Sequence, residues 1–334
     1  MLAFSASSHS NVSNESVTLH CTKRSRVNHT DNIQYNKTYD LNYTEMGNST
    51  SKINRYIRKH NYNAAEKELF CELSKVEEMS LAAANLHDRL TDIYFRLGRM
   101  EDAMKHGQMS LATKQKLAPD SMDLARTLSD IGCIYYERRE YEQSLYFLEG
   151  SQEIRERLEP ESLETARVYT NLSVTLNRLH RVEESCEKAL QALRIKEKIA
   201  PNSSTLAISY ICVAAIAIQN HQIDVAAGYL ETAKRFPKTH DVTVCFLNNL
   251  GNLQATKGDR QGCIKLQRQA CEMEKKNLGD SVNLATLYER LALYLDENAE
   301  TQEEARSFRT QAIAIRYSKV PQSLETRCKK APPS

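Results

Sequence analysis

The sequence has no tryptophan and little glycine or proline, with 10 Gly and 7 Pro in 334 residues. All-β folds need many turns built from those two residues, so their scarcity favours helices. The nine cysteines are scattered and include no Cys-x-x-Cys pair, which excludes a disulfide-built scaffold. Basic residues exceed acidic residues by only two, 45 against 43, which excludes a strongly basic nucleic-acid binder.

Long apolar runs are also absent. The most apolar stretch, residues 206–218, has thirteen residues, whereas a membrane span takes about 20. The first residues lack the basic start and the apolar segment of about 7–15 residues that mark a secretory signal. We therefore predict a cytoplasmic protein with no membrane partner. The first fifty residues contain six Asn-x-Ser/Thr sequons. These would indicate an exported protein only if they were glycosylated, because glycosylation requires export.

What the sequence does contain is a repeat. Four segments align: LAPDSMDLA from 117, LEPESLETA from 158, IAPNSSTLA from 199 and NLGDSVNLA from 277. Pro119, Pro160 and Pro201 are each 41 residues apart. Between these junctions lie two helical patterns separated by a short polar turn. Such a period predicts stacked helix–turn–helix units.

Small residues recur in every second helix at two positions seven apart. These pairs are Ala103 and Ser110, Ser144 and Ser151, Ser185 and Ala192, Ala226 and Ala233, Cys263 and Ala270, and Ala305 and Ala312. Seven residues make about two helical turns, so both positions lie on one face. Small side chains there let the first helix of the unit approach closely, and the unit then needs neighbours to bury the rest of its apolar surface.

These positions resemble the tetratricopeptide repeat family. The clearest copy is Ile131-Gly132-x2-Tyr135, followed by small residues at 144 and 151 and by Pro160. The period of 41 resembles the longer repeats of kinesin light chains, as do the junction APDSMDLA from 118 and the segment NNLG from 248. The resemblance implies an all-α fold, a right-handed α-solenoid of stacked helix–turn–helix repeats.

We predict three regions along the chain. Residues 1–48, rich in Ser, Thr and Asn, form a disordered polar tail, and residues 321–334 form a short basic disordered tail. The solenoid occupies residues 49–320 and begins with a degenerate pair over 49–80. Units one to six follow at about 84–123, 125–164, 166–205, 207–242, 244–283 and 285–317.

Catalytic signals are absent. No nucleophile motif, phosphate-binding loop or metal-ligand spacing appears, so we predict no enzyme activity, no catalytic residue, no metal, no cofactor and no small-molecule substrate. His180 and His221 lie 41 residues apart in equivalent turns. Since no third ligand accompanies them, we interpret both as solvated turn residues.

The resemblance implies a concave groove lined by the first helix of each unit. The predicted peptide-binding residues in that groove are Arg126, Arg167, Asn171, Asn177, Arg178, Ile208, Ile211, Asn248 and Asn252. The three arginines form a positive strip suited to carboxylates. The asparagines offer a donor and an acceptor each to a peptide backbone. The two isoleucines either seat an aliphatic anchor or belong to the core.

Two functions fit this pattern. The first is a non-enzymatic adaptor or scaffold that holds a peptide segment of a partner protein in the groove. The second is a structural subunit of a larger assembly, joined through the repeat edges or the convex face, with the groove idle.

Overall fold

The structure, a computed structural model, describes residues 48–59, 61–236, 239–296 and 298–319. The two predicted disordered tails lie outside these residues, apart from Asn48, where the first helix begins. The described ranges contain helices and turns and no strand. The prediction of an all-α solenoid is confirmed.

The helices pair in chain order. A first pair consists of α1 (Asn48–Arg58) and α2 (Tyr62–Leu73). The six units follow as α3 (Leu81–Arg96) with α4 (Met100–Leu117), α5 (Met122–Glu137) with α6 (Tyr141–Leu158), α7 (Leu163–Arg178) with α8 (Val182–Ile199), α9 (Ser204–Gln219) with α10 (Ile223–Ala233), α11 (His240–Thr256) with α12 (Arg260–Leu278), and α13 (Val282–Asp296) with α14 (Gln302–Lys319). A short 3-10 helix, Ala299–Thr301, joins the last two.

A hydroxyl caps the first helix of every unit. Ser80, Ser121, Ser162 and Ser203 each accept a hydrogen bond from the backbone N–H three residues later. Thr239 and Ser281 do the same in units five and six, and the distances run from 2.9 to 3.4 Å. Each cap satisfies one of the four N–H groups that a helix start leaves without partners. The repeated junction therefore starts each unit at a defined residue.

A left-handed residue closes the first helix of units one to five. Gly98, Arg139, His180, His221 and Gly258 have φ between 57° and 86°. In unit one the N–H of Arg99, the next residue, donates to the carbonyl of Tyr94 at 2.8 Å, and the other four turns repeat this bond. With the bond from the left-handed residue to the carbonyl three residues earlier, this is the Schellman motif, which ends the helix. His180 and His221 are exposed, and their shared position is explained by backbone geometry.

The small residues predicted to lie between paired helices are all buried, with exposed fractions of 2% or less. The closest approach is at Gly132 on α5, where an added Cβ would lie 2.8 Å from the Leu148 side chain and 3.2 Å from the Ser144 carbonyl. Slim side chains thus bring the two helices of a unit together, as the repeat pattern predicts.

Unit four departs from the regular repeat. Its second helix, α10, has 11 residues, whereas α4, α6 and α8 have 18 each. The loss of four residues between units four and five accounts for a shorter helix and connection. As a result α9 packs directly against α11, and it lies in the largest apolar cluster of the described residues.

Successive first helices contact each other from α3 to α11, so they form the inner side of the curve. The curve returns on itself. Arg139, in the turn of unit two, has its Nη2 atom 3.9 Å from Oε2 of Glu289 on α13. Val282, also on α13, packs against the apolar cluster built from α1 to α5. We refer to the inner side of the curve, which the first helices line, as the channel; units two and six approach each other across it at Arg139 and Glu289.

Candidate functional site

The nine predicted groove residues lie on four successive first helices. Arg126 is on α5, residues 167, 171, 177 and 178 are on α7, residues 208 and 211 are on α9, and residues 248 and 252 are on α11. Because each of these helices contacts the next, the nine residues lie in one continuous part of the solenoid.

The two isoleucines are part of the core. Ile208 and Ile211 are 6% and 3% exposed and belong to the apolar cluster around α9. Of the two interpretations of these residues, the core position is the one that the structure supports. They stabilise unit four by burial rather than offering an open aliphatic pocket.

The asparagines on α11 are engaged by neighbouring helices. Oδ1 of Asn248 accepts a hydrogen bond from Nη1 of Arg290 on α13. Oδ1 of Asn252 accepts from Nε2 of Gln267 at 3.3 Å and from the hydroxyl of Tyr294 at 3.2 Å. Their acceptor atoms are therefore used within the chain, and only the amide N–H groups are left to serve a peptide.

The asparagines on α7 are less tied. Asn171 and Asn177 are both buried. Nδ2 of Asn171 donates to Sγ of Cys133 at 3.6 Å, a weak interaction because sulfur is a poor acceptor. Asn171 is therefore better placed than Asn248 or Asn252 to exchange its present partner for a peptide backbone.

Arg178 is held by aromatic rings. Its Nε donates to the hydroxyl of Tyr136 at 2.9 Å, and its guanidinium lies over Tyr136 and Tyr141, 5.7 and 6.0 Å from the ring centres. Burial raises the pKa of Tyr136 to about 12, even though Arg178 acts in the opposite direction. The phenol thus stays neutral and positions a cation on the channel wall.

The positive strip contains one more arginine than the predicted set. Arg167 donates to Oε2 of Glu164 from Nη2 at 2.7 Å and from Nε at 3.1 Å. Nη2 of Arg155, on α6, lies 3.8 Å from the same oxygen. Burial would raise the pKa of Glu164, but Arg167 and Arg155 together hold it below its ordinary value. Arg126 pairs loosely with Asp123 at 4.0 Å.

The second helices carry a row of buried charged side chains that was not predicted from the sequence. Its members occupy equivalent positions near the end of each full-length second helix: Lys114, Arg155, Lys196, Glu274 and Arg316. Lys114 pairs with Asp88 on α3, and Arg316 binds Glu289 on α13 through two bonds of 2.8 and 3.0 Å. A basic residue recurs here every 41 residues in units one to three, but so does the exposed set Lys116, Arg157 and Lys198, so the recurrence alone does not indicate burial.

Lys196 has hydroxyl partners where Lys114 has a carboxylate. Its Nζ donates to Oγ of Ser209 at 2.8 Å and to Oγ1 of Thr170 at 3.2 Å. Burial lowers the pKa of this ammonium to about 8, and the charge of Arg167 adds to the effect. The buried ammonium of unit three thus lacks the directly bonded carboxylate that Lys114 has in unit one.

The far side of the channel also carries charge. Burial raises the pKa of Glu137 on α5, in spite of Arg316 on α14 and Arg178 on α7, whose charges both reach it. Burial likewise lowers the pKa of Arg290. Groups from units two, three and six therefore act on one another across the channel.

Within the described ranges no three His, Cys, Asp or Glu side chains come together as metal ligands would. In the same part of the chain no helix combines the length and the apolar character needed to cross a bilayer.

The sequence matches the tetratricopeptide repeat family over residues 81–157 and 123–198. No protein with a curated description matches it. The apo form of RapI superposes with a TM-score of 0.66 at 16% identity, covering 82% of this chain and 98% of that one. A Rap protein complexed with Competence and Sporulation Factor gives 0.63 at 14% identity, over 82% and 75% of the two chains.

A third similar structure is aspartyl phosphate phosphatase F from Bacillus subtilis, with a TM-score of 0.60, 12% identity, and coverage of 80% of this chain and 68% of that one. Kinesin light chain repeats also match, at TM-scores of 0.48 and 0.49. Because the sequence identities are this low, these comparisons show similarity of fold alone.

Proposed function

We propose that this chain, a tetratricopeptide-repeat protein, is a non-enzymatic scaffold that binds an extended segment of a partner protein in its concave channel. One observation supports the proposal: the arginine and asparagine residues lie on consecutive first helices that contact one another. The contact residues that we retain are Arg126, Arg167, Asn171, Asn177 and Arg178. Asn248 and Asn252 contribute amide donors.

The energetics favour an extended ligand. The channel side chains are fixed by packing and by bonds to neighbouring helices, as for Arg178 on Tyr136. Binding then orders mainly the ligand, which reduces the entropic cost. The Rap protein complexed with Competence and Sporulation Factor supports the proposal to the extent that the same fold holds a binding partner there.

A triple substitution tests the channel. Arg126, Arg167 and Asn171 are changed together to Ala, and partners are compared by affinity purification with quantitative mass spectrometry. The matched control changes Arg157, Arg194 and Gln143, which are exposed residues on second helices, to Ala. We expect the channel variant to lose its partners and the control to keep them. An unchanged partner list in a folded channel variant would refute the proposal.

A second candidate, a structural subunit joined through its edge, is favoured by a specific feature. The last residue of four second helices is an exposed aliphatic side chain: Leu117, Leu158, Ile199 and Leu278, between 42% and 48% exposed. Because the units stack, these residues form a row along one edge. The test changes Leu117, Leu158 and Ile199 to Ser and leaves the channel residues unchanged. If the chain is a structural subunit, these substitutions abolish its assembly; if it is a peptide-binding scaffold, its partners are retained.

The proposal includes a cytoplasmic location and a protein rather than a nucleic acid, a membrane or a small molecule as the partner. Mass spectrometry of the chain from its native cells tests the location. Glycosylation at the sequons of residues 11–50 would show export and contradict it.

A further inference from the structure

Unit two keeps a buried cation, but the carboxylate near it, Glu164 on α7, lies 3.8 Å away and is shared with Arg167, whereas unit one places Asp88 in direct contact with Lys114. In unit one, Asp88 on α3 pairs with Lys114 on α4, and both side chains are buried. Forty-one residues later the same two positions hold Ser129 and Arg155. The positive charge has been retained, and a hydroxyl has replaced the negative charge.

Three polar atoms at these positions are unsatisfied. Within the described residues, Nε and Nη1 of Arg155 and Oγ of Ser129 make no hydrogen bond. Arg155 is 1% exposed and Ser129 is 0% exposed. A buried donor left without an acceptor costs about 1–3 kcal/mol, and more when it is charged. An acceptor arriving from outside the chain would remove that cost.

Charged groups of both signs surround Arg155, and part of this cluster reaches the surface. Arg126 and Arg167, on the two first helices that flank Arg155, act on its charge, and so do the carboxylates Glu164 and Asp130. Burial, aided by Arg167, lowers the pKa of Arg155 to about 10. The side chains of Arg126 and Glu164 are 32% and 46% exposed, so this cluster reaches the surface.

We propose that units two and three form a receptor for a carboxylate side chain, an aspartate or glutamate of the bound segment, seated between Ser129 and Arg155. The inference rests on the proposed function, since the carboxylate belongs to the segment in the channel. Arg155 would donate from Nη1 to one carboxylate oxygen, and Ser129 from its hydroxyl to the other. The chain itself supplies a carboxylate at this position in units one and six, as Asp88 and Glu289.

The receptor is tested on the full chain by NMR of arginine Nε–H groups, with the Arg155 signal assigned from Arg155→Lys. The probes are N-acetylglutamate N-methylamide, its glutamine counterpart and inorganic phosphate, at constant ionic strength. We expect a saturable shift of the Arg155 signal with the glutamate compound and none with the glutamine compound. No saturable shift, an equal shift with glutamine, or a response to phosphate alone would overturn the proposal.

A matched pair of variants tests the same site from within. Ser129→Asp supplies the missing carboxylate, and Ser129→Asn has nearly the same shape without the charge. We expect Ser129→Asp to have a higher Tm than Ser129→Asn and to abolish the response to the glutamate compound, while Ser129→Asn keeps part of it. If Ser129→Asp is no more stable than Ser129→Asn and still responds, the two residues do not form one site.

The two proposals fail separately. If Arg155 responds to glutamate but partners survive the triple channel substitution, the receptor stands and the scaffold function falls. If partners are lost with the channel residues but Arg155 ignores glutamate, the scaffold function stands and the carboxylate receptor falls.

Discussion

At the scale of single residues, charge is buried inside this solenoid rather than confined to its surface. Lys114 and Asp88 are enclosed between α3, α4 and α5, with Thr127 bonded to both. A buried ion pair contributes little compared with apolar packing, but losing one partner leaves an uncompensated charge. Such pairs make the register between units specific.

The buried pair predicts a large effect of a small change. Asp88→Asn leaves Lys114 without its carboxylate and should lower the free energy of unfolding by about 3–5 kcal/mol. Asp120→Asn, which breaks the exposed pair with Arg157, should cost under about 1 kcal/mol. Urea unfolding followed by circular dichroism measures both. Equal effects of the two substitutions would contradict the role of burial.

Two histidines make stability depend on pH. His87 and His106 are buried with their Nδ1 atoms 2.9 Å apart, and His106 stacks on Tyr94 with ring centres 5.4 Å apart. Burial, reinforced by the charges of His87 and Lys105, lowers the pKa of His106 to about 4. Burial also lowers the pKa of His87. Both rings are therefore neutral in the folded chain at neutral pH.

The unfolded chain binds protons on these rings below the ordinary pKa of about 6.5, whereas in the folded chain His106 is not protonated until the pH nears 4 and the pKa of His87 is also lowered. The free energy of unfolding is not reduced by these histidines above pH 6.5, and it decreases as the pH falls towards 4. We expect His106→Gln to reduce that loss by about 1–3 kcal/mol in urea titrations at pH 7.5 and 5. His180→Gln, at an exposed turn, should keep the wild-type pH dependence.

At the scale of helices, two glycines differ in the space around them: Gly132 lies against the neighbouring helix, and Gly228 has no neighbouring atom where a Cβ would lie. Gly132→Ala should destabilise the chain by about 1–3 kcal/mol, because its Cβ would overlap Leu148. Gly228→Ala, in the middle of α10, meets nothing within 4 Å and should stabilise it by up to about 1 kcal/mol through helix propensity. Thermal unfolding of the two variants should move in opposite directions. A shift of the same sign in both would refute the packing argument.

The helix endings give a second prediction at this scale. His221 adopts a left-handed conformation that a side chain makes unfavourable, so His221→Gly should raise stability by about 1 kcal/mol. Gly258→Ala places a Cβ at the equivalent position of unit five and should lower it by a similar amount. Differential scanning calorimetry is sensitive enough for both. A lower Tm for His221→Gly would show that the imidazole contributes more than the backbone strain costs.

At the scale of the whole molecule, stability is distributed along the array because each unit contacts mainly its neighbours. Helix α9 is buried over 12 of its 16 residues and lies in the largest cluster of the described residues, whereas in that part of the chain α1 and α2 pack mainly against each other and unit one. We expect amide hydrogen exchange to be slowest in α9 and fastest in α1 and α2. Leu230→Ala, on α10, should accelerate exchange in α9 more than in α3. Uniform exchange along the chain would contradict this distribution.

The sequence was sufficient to predict the architecture. The 41-residue spacing and the slim pairs such as Ala103 and Ser110 depend on local helix geometry, so they are visible in one dimension. The same holds for the short turn of each unit. The capping serines were also present in the aligned junctions, although their role emerges only from the hydrogen bonds.

The candidate site was predictable only in outline. Arg126, Arg167 and Arg178 could be placed on the inner helices, but nothing in the sequence distinguishes buried Lys114 from exposed Lys116 without the packing of the next unit. Closure between Arg139 and Glu289 depends on small rotations that accumulate over four units. Contacts so far apart in sequence leave no periodic signal.

The contact between Arg139 and Glu289 has a kinetic consequence. Because units two and six approach each other at this point, a bound peptide segment would have to enter the channel end first or wait until the two units separate. Association and dissociation would then both be slow, whatever the affinity. The length of the ligand outside its bound segment would set the association rate.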